Sequence, residues 1–152
     1  MAPSNNKTPT EVTDTPEFKD VSNPDYFINR EISQLKFNER VLEQAKDINT
    51  PLLERVKFLC ISCTNLDEFF EIRVGGVKQH IEYSTGYTTA DKIPPKQLLD
   101  EIHQSATKLV TEQYRVFNEI ITPALAEENI HLIPREKWTR AQRKWIHEFF
   151  SE

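Results

Sequence analysis

The residues 60 to 70, "CISCTNLDEFF", bring together several side chains whose types could do chemistry. The chain's two cysteines, Cys60 and Cys63, lie there at C-x-x-C spacing, followed by Asn65, Asp67 and Glu68. A redox C-x-x-C belongs at a helix N-terminus, where the dipole lowers a thiol pKa. This pair falls about two and a half turns inside an expected helix. A zinc site needs about four ligands, and no second Cys or His pair stands at usable spacing. His80, His103, His131 and His147 are scattered. Both cysteines are therefore expected to be small packing residues. Asp67 and Glu68 are adjacent, so on a helix they diverge and form no acid/base pair unaided. Asp67 falls at the edge of an apolar stripe, where a partly buried carboxylate needs a donor. Arg55, Arg73 and Ser62 share one side of the same helix, either as a solvated rim or as an edge facing an anion. His103 falls on a polar helix face and is expected to be merely solvated. Asn65 is the odd residue. It stands among Phe58, Ile61, Phe69 and Ile72, and an amide there must satisfy both donors and an acceptor. It can bond a neighbouring helix, or it can face a ligand with matching edges, such as a nucleobase.

These residues need long helices to position them. The first is expected over 33 to 47, "SQLKFNERVLEQAKD", with Leu35, Phe37, Val41, Leu42, Ala45 and Ile48 on one apolar arc and Asn38 inside it. "INTP" then makes a turn, with Thr50 as cap and Pro51 in the first turn of the next helix. The second helix runs from Pro51 to about Tyr83, about 50 Å long. Its main stripe is Leu52, Val56, Leu59, Cys63, Leu66, Phe70, Val74, Val77 and Ile81, spaced by threes and fours. Phe58, Ile61, Asn65, Phe69 and Ile72 form a second stripe, which places the helix between neighbours. Gly75-Gly76 marks a bend or a close approach. "STGYTTADKIPPK" is a loop. A third helix spans about 95 to 128, with Pro123 kinking or restarting it. "IHLIP", 130 to 134, is extended. "TRAQ", 139 to 142, is a capping box opening a last helix with Trp145, Ile146, Phe149 and Phe150. The chain stops within that helix's pattern, as though cut inside it.

Composition limits the function classes. The 152 residues suffice for one domain and part of a second, with 38% hydrophobic and 28% charged residues and a net charge of −5. A general nucleic-acid binder would carry a basic excess. No apolar run is long enough to span a membrane, and the N-terminus lacks the apolar core of a secretory signal. Two cysteines and no export signal suggest a reducing, cytoplasmic setting. With three glycines in all, a phosphate-cradling glycine loop is absent. Residues 1–25, rich in Ser, Thr, Asn, Pro and charge, read as a flexible tail.

The succession "FINREISQLKFNERVLEQAKD" and "TPLLERVKFLCISCTNLDEFFEIRVGGVK", with "NIHLIPREKWTRAQRKWIHEFF" later, resembles the N-terminal part of the polyphosphate kinase family. The kinases in question build polyphosphate from ATP through a phosphohistidine. "FNERVL", "LLERVKFL" and "NLDEFFEIRV" are specific in combination. The resemblance implies an all-α, antiparallel helical bundle with long central helices over 26–128. Residues 129–152 would then be the truncated beginning of a head domain. It also implies ATP as donor, polyphosphate as acceptor, Mg²⁺ as cofactor and a homo-oligomer of the full enzyme. The family's phosphorylated histidine and phosphate-binding arginines belong to C-terminal catalytic domains, so no catalytic residue and no metal ligand maps onto this chain, which would be inactive alone. The family asparagine of the "N-L-D-E-F" motif, a nucleotide contact, falls on Asn65. Family members often carry Ser or Asn where this chain has Cys63 and Thr64, and Trp where it has Gln34. The alternative is a helical interaction or dimerisation module with no nucleotide role, whose second stripe binds protein only.

Overall fold

The structure, a computed structural model, describes residues 23–83 and 91–151. The expected tail lies outside the described residues up to residue 22, as do residues 84–90 of the expected loop. Every regular element among the described residues is helical. Helix α1 is Arg30–Lys46, α2 is Leu52–Glu68, α3 is Gly75–Glu82, α4 is Pro95–Arg115, α5 is Thr122–Glu127 and α6 is Arg140–Phe149. A π-helical segment, Phe69–Val74, joins α2 to α3, and another, Val116–Ile121, joins α4 to α5. The backbone stays helical through both junctions, giving two long rods beside α1. Short 3₁₀ turns occur at Pro24–Tyr26 and Arg135–Lys137.

The rods alternate in direction. Asn38 of α1 meets Ser62 of α2, while Ala45, later in α1, meets Arg55, earlier in α2. That pairing makes α1 and α2 antiparallel. Gln113 of α4 also bonds Ser62. The shared core draws on all three rods: Leu35, Leu42 and Ala45; Leu59, Leu66, Phe69, Val74 and Val77; Leu98, Ile102, Ala106, Leu109, Val116, Ile121 and Leu125.

The two π segments set the phase of this core. Along the second rod the inward positions are Leu59, Ser62, Leu66, Phe69, Val74 and Val77. All steps are three or four except that from Phe69 to Val74, which is five. A π turn inserts one residue into the helical count. A stripe read at constant pitch therefore puts Phe70 inside between Leu66 and Val74, whereas Phe69 takes that place. Before the π segment, Ser62 rather than Cys63 fills the inward position between Leu59 and Leu66, a choice that steps of three and four leave open. Cys60 and Cys63 are exposed, so the expectation that both pack in the core is wrong. Phe70 is 40% exposed and Phe69 is 1% exposed. In the third rod the inward step from Val116 to Ile121 is again five. There the Thr122 N–H reaches back to the Phe117 carbonyl, and the widened turn accommodates Pro123, whose ring would strike a carbonyl of a regular helix.

Other local expectations are corrected by the caps. Helix α1 starts earlier than its apolar pattern, because the Asn29 side chain accepts from the backbone of Glu31 and Ile32. Thr50 caps nothing; Pro51 is the N-cap of α2 and offers no side-chain hydrogen bond. Phe37 and Ile48 belong to the expected apolar arc of α1 yet are exposed. A Cβ on Gly75 or Gly76 would meet nothing within 4 Å, so these glycines mark no close approach. The Thr139–Gln142 capping box opens α6 as read, with both reciprocal bonds formed.

Candidate functional site

Asn65 projects from α2 toward α1, and its surroundings are set by a polar relay across three helices. Gln113 Nε2 of α4 donates to Ser62 Oγ at 2.9 Å. Asn38 Nδ2 of α1 donates to the Ser62 carbonyl at 2.8 Å. Asn65 Nδ2 then donates to Asn38 Oδ1 at 3.3 Å. Asn38, Ser62 and Gln113 are buried, and Asn65 is half-buried. Buried polar groups are stable when bonded to one another in this way. Among the described residues Asn65 Oδ1 accepts no hydrogen bond, so the relay ends on an amide with unused capacity.

That amide lines a small depression of about 90 Å³ with Gln34, Leu35, Phe37, Asn38 and Phe69. The expected apolar surroundings are partly realised. Ile61 and Ile72 are exposed and Phe58 is half-buried, but Phe69 is core. Phe37 of α1 supplies the exposed aromatic ring instead, with the Arg40 guanidinium 5.7 Å from its centroid. Sequence reasoning missed Phe37 as a site residue because it assigned it to the core. The signal was Asn38, an amide inside the same arc whose buried position rotates its neighbour outward.

Arg55, read as a rim or an anion-facing edge, is neither. It is buried, and its Nε donates to the Ala45 carbonyl at 3.0 Å. The carbonyls of a helix's last turn lack intrahelical partners, so Arg55 closes the C-terminal end of α1. Arg73 is half-buried in the π segment, and Ser62 faces inward. Asp67 is exposed rather than partly buried, and His103 is exposed on α4.

The cysteines line a wider groove, about 570 Å³, between α2 and α4 with Asp67, Tyr114 and Phe117. Partial burial pushes the Cys63 thiol up, and the negative charges of Cys60 and Asp67 add to the shift. A reactive thiol needs the opposite shift. Among the described residues no group of three or more His, Cys, Asp or Glu side chains is placed to hold a metal ion. None of the described helices is long and apolar enough to cross a membrane.

The chain matches the family model described as "Polyphosphate kinase N-terminal domain" over residues 27–133. It is 45% identical to a polyphosphate kinase of Xylella fastidiosa over 134 residues, 88% of this chain and 19% of that protein. It is 47% identical to one of Pseudomonas aeruginosa over 126 residues, 83% of this chain and 18% of that protein. A Synechocystis polyphosphate kinase shares 45% over 138 residues, 91% of this chain and 18% of that protein. The chain thus spans about a fifth of the length of these relatives. No solved structure matches it. The all-helical fold, the identity to these relatives and a family match over most of the bundle lead to one assignment: the chain belongs to the polyphosphate kinase N-terminal domain family.

Proposed function

We propose that this chain is the part of a polyphosphate kinase that walls the adenine side of the nucleotide pocket, in an enzyme that transfers the terminal phosphate of ATP to polyphosphate. The observation that carries the reading is the Asn65 amide. It is half-buried, tethered on one side by Asn38, and retains an open acceptor in a depression that it shares with Phe37 and Leu35. An adenine offers an amino donor, which the open Oδ1 of this amide can accept. The apolar side chains give its faces something to lie against. The depression is too small to enclose a base, so this domain would form one wall, with the opposite wall and the phosphate-binding groups supplied by catalytic domains of the same enzyme. We propose no phosphoryl transfer by this chain alone. Mg²⁺ would serve in phosphate binding there; the described residues offer it no ligand set. The full enzyme would be a cytoplasmic homo-oligomer.

Photolabelling tests the placement. A photoactivatable 8-azido-ATP bound to the kinase carrying this domain should label peptides from α1 around Phe37 or from α2 around Asn65. Unlabelled ATP should suppress that labelling. Labelling confined to other domains would instead favour a helical interaction module with no nucleotide role.

A further inference from the structure

The bond from Asn38 to the Ser62 carbonyl has a consequence for which base Asn65 can read. A backbone carbonyl only accepts, so the Asn38 atom 2.8 Å from Ser62 O must be its amino nitrogen. Asn38 Oδ1 therefore faces Asn65, and an oxygen there only accepts. The Asn65 amide must turn its nitrogen inward, as it does at 3.3 Å. This leaves Asn65 with Oδ1 as its unused acceptor. Left alone, an amide can turn over and exchange donor for acceptor; here the buried Asn38 forbids it.

We infer that Asn38 is a positioning residue for base selection: by fixing the Asn65 amide, it makes the pocket favour a 6-amino purine nucleotide over a 6-oxo one. The inference rests on the proposed adenine contact of Asn65. Adenine presents an N6 amino donor where guanine presents the O6 acceptor. An outward Oδ1 bonds the first and repels the second. Gln113 and Ser62 support the arrangement from behind, because Ser62 anchored in the core holds its own carbonyl in line for Asn38. Gln34 also lines the depression, but among the described residues no hydrogen bond fixes its amide, which can turn to suit either base, so the preference would come from the two asparagines.

The test compares kcat/KM for ATP and for GTP in the kinase carrying this domain. Asn38→Leu removes the acceptor that holds the Asn65 nitrogen inward, and the ATP-to-GTP ratio should fall by roughly five- to tenfold, mainly through the two KM values. Asn38→Ser, whose hydroxyl is too short to reach both partners, should lower the same ratio if the leucine variant does not fold. In an Asn65→Ala background, Asn38→Leu should leave the ratio where Asn65→Ala has put it. A general loss of stability would lower turnover with both nucleotides and keep their ratio. An unchanged ratio in folded Asn38 variants, with Asn65→Ala still weakening ATP use, would overturn this inference alone. If Asn65→Ala also leaves ATP use intact, the adenine contact itself is wrong and the inference falls with it.

Discussion

Ser62 shows how much depends on single polar atoms in this bundle. Its hydroxyl accepts from buried Gln113 and its carbonyl from buried Asn38. Ser62→Ala removes only the first of these and leaves Gln113 Nε2 buried without an acceptor. The expected cost is about 1–3 kcal/mol, read as a lower urea midpoint at unchanged slope. A loss within ~0.5 kcal/mol, the usual range of a surface change, would show that Gln113 finds another partner. The neighbouring cysteines should behave in the opposite way. Both are exposed, so both should react with a small thiol reagent in the folded protein, with Cys63 slower because its thiol is pushed up. Cys63→Ser and Cys63→Ala should be alike within about 0.5 kcal/mol. Protection of Cys63 until unfolding would return it to the core.

The π segments carry the difference between a stripe of letters and a packed face. Phe69 and Phe70 are adjacent and chemically identical, and their rings touch edge to face at 5.8 Å. The inserted residue decides which one is buried. Phe69→Ala should cost roughly 3–5 kcal/mol, as truncation of a buried aromatic does. Phe70→Ala should cost about 1 kcal/mol or less, because the ring is already half in water. Equal costs, or the reverse order, would contradict the phase of α2. Helix existence and type were legible in the sequence because the apolar steps of three and four extend over many turns. The antiparallel order of α1 and α2, the capping box before α6 and the oddity of Asn65 were legible too. The five-residue steps were not. A π insertion leaves no turn residue or proline in "DEFFEIRV" to announce it, and its cause is tertiary: the rod must present Phe69 before it and Val74 after it to the same core. Arg55 was misread for a related reason. Its partner is a carbonyl at the end of another helix, and backbone acceptors cannot be seen in a pattern of side chains. Phe37 and Asn38 became site residues only once the rotation of α1 was known.

At the scale of the whole molecule, α1 and α4 are joined by charge as well as by core. Lys46 and Arg115 converge on Glu112, with N–O distances of 3.1 and 2.8 Å. Hydrogen bonds from Arg115 and Lys46 hold the Glu112 carboxyl down at about 2, against an ordinary value of 4.5. A carboxyl lowered on folding stabilises the fold above its unfolded pKa, and the contribution disappears as pH falls from about 4.5 toward 2. The side chain is a third exposed, so water screens the cluster and the effect should be about 1 kcal/mol at most. Wild type and Glu112→Gln should thus differ in urea midpoint at pH 6 and converge near pH 2; a constant difference would deny the cluster any electrostatic role. The same scale holds the decisive functional question, because the bundle is proposed to serve a nucleotide whose phosphates are handled elsewhere. The most direct measurement is steady-state kinetics of Asn65→Ala in the kinase carrying this domain. A lost neutral hydrogen bond contributes about 0.5–1.5 kcal/mol, so the KM for ATP should rise roughly two- to tenfold. The turnover number should change less, since the base lies away from the transferred phosphoryl group and adds mainly uniform binding. Polyphosphate binding without nucleotide should be unaffected. An Asn65→Ala enzyme with unaltered ATP dependence and a lower melting temperature would contradict the account and make Asn65 a tie between α1 and α2.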